Sequence, residues 1–323
     1  MLPAEGKGMK KGWIIGIATL LAAGGGGYFA ADHFANAKLK ERAEIFARDM
    51  QKVTKEFRYG GVRADLLSQS IVMTKVEFVT MSGDRIRAES VAVKDFDWRS
   101  GGTPRYADIE VKRADVPSTA LANLARASGS LGSIIGVSTG PAADAQRLLD
   151  RAGYKRTTSD FFVRYRFDEE TGEFELRDVQ LAVSDLGEVL LNLKLGNVPQ
   201  RRVRDGAALL SAGTTTTLIH ASLSFRDRSL VSRLLKAYAA DRNISEAEAL
   251  ARVLRDLKAE RDRARDPVER EALEALLRFV ERPSEIRVAA EPTRPVPLLA
   301  LGMGILGGRG LVKNTIGLKI SAR

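Results

Sequence analysis

The 323-residue sequence predicts an α+β fold: an N-terminal transmembrane helix, then an antiparallel β-meander with packed helices and a three-helix insertion. Three observations carry that reading. Residues 12–31 contain no charged side chain. Segments between Ser70 and Phe225, and again near the C-terminus, alternate apolar and polar residues. Between Leu230 and Arg282 the apolar period lengthens from two to 3.6, with capping residues at the helix starts.

Residues 1–11 read as a cytoplasmic tail in which Lys7, Lys10 and Lys11 precede the apolar run. At 1.5 Å per residue, a run of this length spans about 30 Å, the depth of a bilayer's hydrocarbon core. Ile14, Ile17, Leu20 and Leu21 fill its centre, and Trp13 at one end with Tyr28 and Phe29 at the other read as interfacial anchors. The preceding lysines orient the N-terminus inward, so the expected location is the inner membrane, single-pass, with the bulk in the periplasm. A cleavable signal peptide is the alternative, since Ala35-Asn36-Ala37 has the form of a cleavage site. The bracketing aromatics favour a retained anchor. Export follows from either.

Residues 32–60 are expected to form an amphipathic stalk helix, because Phe46, Met50, Val53 and Phe57 share one helical stripe. Two β-rich regions follow, 61–152 and 153–323. In the first, Ile71 to Val79 and Ile86 to Trp98 form strands around a Ser82-Gly83-Asp84 turn, the second with an irregularity, and Tyr106 to Val116 follows as another strand. Short helices are expected over Pro117–Ala127 and Pro141–Ala152. The second region opens with Phe161, Val163, Tyr165 and Phe167 on one strand face against Phe162, Arg164 and Arg166 on the other. Strands through Phe174–Val183, Val189–Leu195 and Thr217–Phe225 complete a meander.

The helical insertion occupies 229–282. Ser245 with Glu248 has the form of a capping box, and Asp266, Pro267 and Glu269 suit the N-cap, first and third positions of the next helix. Strands resume at Ile286–Ala290 and at Ile316–Ala322.

Composition narrows function. Lys plus Arg number 51 against 41 Asp plus Glu, a formal charge of +10, which suits an anionic surface. No basic stripe with interleaved aromatics is visible, so no nucleic-acid partner is expected. Cysteine is absent, and His33 and His220 lie in different settings, so no metal site and no cofactor is expected. Gly302-x-Gly304-x-x-Gly307 has the letters of a dinucleotide fingerprint, yet the 16 residues after it include no acid and alternate like a strand. Met303, Ile305, Leu306 and Leu311 read instead as an apolar loop able to touch a membrane or a ligand. Asp95 with Asp97 and Glu169 with Glu170 sit where turns collect carboxylates, and no catalytic residue is assigned.

The anchor from Trp13 to Ala31, the Gly61-Val62-Arg63-Ala64-Asp65 start of the first strand and the Asp185-Leu186-Gly187 turn together resemble single-pass, β-rich Gram-negative envelope proteins of the YdgA-like and AsmA-like kind. That resemblance implies a link to envelope lipid homeostasis or transport, and with the anchor, the apolar strand faces and the glycine-rich apolar loop the expectation is a non-enzymatic envelope protein, with membrane lipid as its partner, that binds or guides a lipid or other apolar ligand. The alternative expectation is an assembly scaffold, with Arg252, Arg255 and Arg263 of the insertion docking an envelope protein.

Overall fold

Side chains that alternate along a strand can bury one face of a sheet only if every strand keeps its register with the next. The computed structural model describes residues 54–65, 70–94, 105–120, 149–198, 215–298, 300 and 309–323. Among them, strands β1 (Glu56–Arg58), β2 (Gly61–Asp65), β3 (Ser70–Val79), β4 (Arg85–Lys94), β5 (Tyr106–Pro117) and β6 (Arg156–Asp168) lead into β7 (Glu173–Val183), β8 (Gly187–Gly196), β9 (Thr217–Asp227), β10 (Glu285–Ala290), β11 (Val296–Pro297) and β12 (Leu318–Ala322). All belong to one 12-stranded sheet with β3 to β10 in chain order, β1 and β2 sharing the edge of β3, β11 beside β9, and β12 beside β10. Neighbours run antiparallel throughout. The two β-rich stretches on either side of residue 152 are therefore joined by hydrogen bonding: Ile109 lies opposite Val163 and Val111 opposite Phe161.

Among the described residues, four helices accompany the sheet: α1 (Leu230–Arg242), α2 (Glu246–Arg263), α3 (Pro267–Glu281) and α4 (Arg309–Ile316). Ser245 Oγ accepts from Glu248 N–H while the Glu248 carboxylate accepts from Ser245 N–H, and Asp266 accepts from Val268 N–H ahead of Pro267. Two of the orphan donors at the start of α2 and one at the start of α3 are thus satisfied, which confines both starts. Asn243, at φ 51°, ends α1 in the left-handed conformation, and its N–H with that of Ile244 closes the last carbonyls.

Sheet parity is kept by bulges. Lys75, Arg113 and Asp178 have φ of 50°, 48° and 51° inside β3, β5 and β7. Arg113 and Asp178 each fall where a residue is inserted against a neighbouring strand, whereas β3 keeps its register with β4 across Lys75; in β3 and β7 the apolar series changes phase, Ile71 and Met73 giving way to Val76, and Leu176 to Val179. A bulge leaves a backbone donor outside the ladder, and side chains take it up. Arg113 N–H donates to Asp160 Oδ1 at 2.7 Å, and Asp178 N–H donates to Asn192 Oδ1 at 2.9 Å.

Three places depart from the sequence expectations. The stalk helix expected over 32–60 lies outside the described residues up to 53, and its C-terminal end is a strand. Phe57 enters the core from β1, opposite Phe78, because a strand there covers the edge of β3. β5 continues through Pro117, so only residues 118–120 and 149–151 of the two expected short helices are helical, with 121–148 outside the described residues. Residues 309–316 form α4, which takes in Leu311 of the expected apolar loop and Ile316, the expected start of the last strand. Gly317, at φ 59°, stops this helix in the left-handed region and starts β12 only at Leu318. No helix among the described residues is long and apolar enough to cross a membrane; the charge-free run at 12–31 lies outside them.

Candidate functional site

Register places the inward side chains of the sheet in transverse rows. One end row runs Phe167, Phe174, Leu195, Leu218 and Val296, each fully buried. On the β3–β6 side the row Ile71, Val93, Ile109 and Val163 is equally closed, and in the next row Met73 and Val91 are buried while Val111 and Phe161 are half-buried. The middle of the β7–β10 side differs. Leu176, Leu193 and Ala221 form one row, Leu191, Leu223 and Val288 the next, and Leu181, Val189, Phe225 and Ile286 a third, and all are only half-buried. The result is an apolar patch that remains partly open to solvent, framed by closed packing.

Helices bound the patch. On α3, Val268, Ala272 and Ala275 join the core with Leu318 and Ile320 of β12, and Phe279 meets Phe225 edge to face at 6.0 Å. Leu230 and Leu234 of α1 pack with Val183, Leu186 and Tyr154 at the end of β7. α2 lies outside, with Ala249 as its one buried residue.

The opposite face of the sheet is a lattice of ion pairs. Asp108, buried on β5, accepts from Arg164 Nε and Arg166 Nη1 at 3.0 Å each, and Arg164 also reaches Asp178 at 3.2 Å. Arg164 and Arg166 further lie over the Phe162 and Tyr106 rings. Glu110 pairs with Lys94 and Lys112, Arg156 with Asp115, and Arg226 bridges Glu188 and Glu285. Burial acts to raise the Glu110 carboxyl, and hydrogen bonds from Lys94 and Lys112 outweigh it and hold the group below the usual glutamate range. These charges are mutually neutralised, so this face of the sheet does not present the chain's +10 excess as one patch.

Of the residues singled out from sequence, Met303, Ile305 and Leu306 lie outside the described residues, as do Trp13, Ile14, Ile17, Leu20, Leu21, Tyr28 and Phe29. Leu311 falls in the backbone of α4. Arg252 is half-buried on α2, and Arg255 and Arg263 are exposed. At 100° per residue the three arginines fall within about 80° of one another, and Glu248, Asp256 and Asp262 lie in or beside the same arc. That face is of mixed sign. His220 pairs in register with Lys194 on the charged side of the sheet. Asp95 and Asp97 lie outside the described residues, while Glu169 and Glu170 sit in the β6–β7 turn. There Asp168 Oδ1 accepts from Thr171 and Glu170 N–H, which holds its carboxyl below the usual range. Among the described residues, no group of three or more His, Asp or Glu side chains is placed to hold a metal ion.

The half-buried rows were not singled out from sequence, because leucines in β8 occupy both strand faces and only register separates them. Glu271 was also missed, although a signal existed: it lies three residues after Val268 and four before Ala275, on the buried stripe of α3. Its carboxylate accepts from Lys313 Nζ of α4 and from Ile320 N–H of β12, the latter at 3.3 Å.

Comparison with known proteins adds two findings. A family model described as "Uncharacterized protein" matches residues 180–323, the part that holds the end of β7, all of β8 to β12 and α1 to α4. A protein of Aquifex aeolicus (strain VF5), also described as "Uncharacterized protein", is 23% identical over 301 residues, covering 90% of this chain and 91% of the relative. The likeness to that relative runs along nearly the whole of both chains.

Proposed function

We propose that this protein is a non-enzymatic, membrane-anchored envelope protein whose sheet holds or guides a lipid or other apolar ligand against its inner face. One observation carries the reading: the half-buried rows Leu176–Leu193–Ala221 and Leu191–Leu223–Val288 lie on the apolar face between buried Ala290 and Val179 at their ends and the buried row of Phe174, Leu195 and Leu218. Partly exposed aliphatic rows retain transfer free energy, about 25 cal/mol for each Å² still open to water, that an apolar guest would release. The charge-free run at 12–31, with lysines before it and aromatics at both ends, supports an inner-membrane anchor with the sheet on the periplasmic side. The resemblance to β-rich single-pass envelope proteins points the same way.

The test is site-specific photocrosslinking in cells with the full chain. A benzophenone amino acid at Leu191 or Leu193 should yield lipid adducts by mass spectrometry, and the same probe at outward-facing Gln180 or Arg177 should not. Adducts at neither face, or equally at both, would sink the proposal.

A second reading, a scaffold that docks an envelope protein through the insertion, has the exposed polar face of α2 in its favour. The insertion leaves and re-enters the sheet where Asp227 N–H donates to Ser284 C=O at 2.7 Å, so a short turn can replace residues 228–283. Loss of a co-purifying partner from that deletion, with the sheet still folded, favours the scaffold; an unchanged set of partners counts against it.

A further inference from the structure

β9 and β10 are neighbouring antiparallel strands that a two-residue turn would suffice to join, yet 57 residues, Arg228 to Ser284, stand between them. Both connections meet at one point, where Arg226 pairs with Glu285 and Asp227 N–H donates to Ser284 C=O. A body attached to a sheet at two adjacent strands is a body on a hinge. That side is well fastened. Arg228 N–H donates to Leu186 C=O at 3.1 Å, Ser229 Oγ donates to Asp185 C=O, and Tyr154 Oη lies 3.1 Å from both. Arg233 stacks over the Tyr154 ring at 5.1 Å. The half of α3 nearer the hinge brings the large side chains, Leu277 and Phe279.

The far half of α3 is held differently. It meets the core through Val268, which is fully buried, through the small side chain of Ala272, and through one carboxylate. Glu271 there receives Lys313 Nζ and the N–H that Ile320 turns outward from its partner strand β10. β12 pairs only with β10 among the described residues, so this contact also covers an edge strand. α2 rides on α1 and α3, leaving α3 and the two leucines of α1 to seat the insertion on the inner face.

We propose that α1–α3 form a lid, hinged at Asp227–Ser229 and Ser284 and latched at its far end by Glu271, whose lifting opens the side of the apolar patch along β10 and β12. The gating role rests on the ligand-holding reading above. The hinged motion itself does not.

Hydrogen exchange of the full chain in nanodiscs tests the motion. Peptides from the far half of α3 and from β12 should exchange together and faster than those of β6–β8, and Glu271→Ala should speed both by about tenfold, as loss of one charged latch predicts. Glu271→Gln, which keeps an acceptor for Ile320, should have a smaller effect and guards against simple misfolding. Exchange of α3 and β12 that rises only together with the whole sheet, or that ignores Glu271, overturns the lid. The chain contains no cysteine, so an E271C/K313C pair joined by a short bismaleimide locks the latch without other thiols reacting. The lock should abolish lipid adducts at Leu191, and adducts that persist overturn the gating. If adducts never form even in the unlocked chain, the ligand reading fails, while the exchange result still decides whether the lid exists.

Discussion

At Asp108, two guanidinium groups converge on one buried carboxylate. The aspartate side chain is 11% exposed, and its arginines about three times more, so water can replace part of what they lose but little of what it loses. Asp108→Asn should therefore cost about 1–3 kcal/mol in urea unfolding, more than an exposed pair such as Arg263–Glu260, whose removal should be near neutral. The bulge donors give a finer test. Asp160→Ala removes the acceptor of Arg113 N–H and should cost about 0.5–1.5 kcal/mol, because the ladder offers that amide no other partner. Gly317 is tightly constrained. At φ 59° a β-carbon would run into the Glu291 carbonyl, so Gly317→Ala should lower stability by about 2 kcal/mol or more and be visible as a reduced melting temperature. These residues were only partly legible in the sequence. Alternation identifies Arg164 and Arg166 as outward on their strand, but Asp108 becomes their partner only through the β5–β6 register.

At the scale of single elements, the insertion was the most legible part of the chain, because helix caps are local chemistry. Ser245 and Glu248 are three residues apart and need no tertiary partner to form their box. Backbone N–H donation from Ser245 is the main cause that holds the Glu248 carboxyl below its ordinary value. A depressed carboxylate contributes stability that is complete above the ordinary glutamate range and is lost as pH falls through the lowered folded value. Amide exchange at 246–249 should thus rise selectively in acid, while Ser245→Ala should weaken the helix start by about 1 kcal/mol at neutral pH. An acid response in Glu248→Gln equal to that of the native chain would show that the box is not its source. β1 and α4 were illegible for the opposite reason. Phe57 fits both a helical stripe and a strand, and Ile316, Leu318 and Ile320 alternate although a helix end lies between the first two. Only the free edge of β3 and the left-handed turn at Gly317 resolve them.

At the scale of the whole molecule, one sheet implies one cooperative unit. Cutting the chain at residue 152 would expose β5 and β6 along their full lengths, with Ala107, Ile109, Val163 and Tyr165 losing their cover. Fragments on either side of that point, expressed separately, should fail to give sharp unfolding transitions and should aggregate; two independent sigmoidal transitions would show that the halves are separate domains. Folding should be slow for the chain's size, since the β5–β6 pairing closes a loop across residues 118–155.

What the sequence alone determined is whatever depends on neighbours a few residues apart: the α+β class, the alternating strands of the meander, and the caps of α2 and α3. What only the tertiary structure decided depends on register and on chain ends brought together. That includes the single sheet, the bulges that keep its apolar face in phase, the half-buried rows on β7–β10, the closure of Asp227 on Ser284 and the reach of Glu271 to β12. The physical reason is that a side chain's direction is set by its own backbone, whereas its exposure is set by what another strand or helix lays across it.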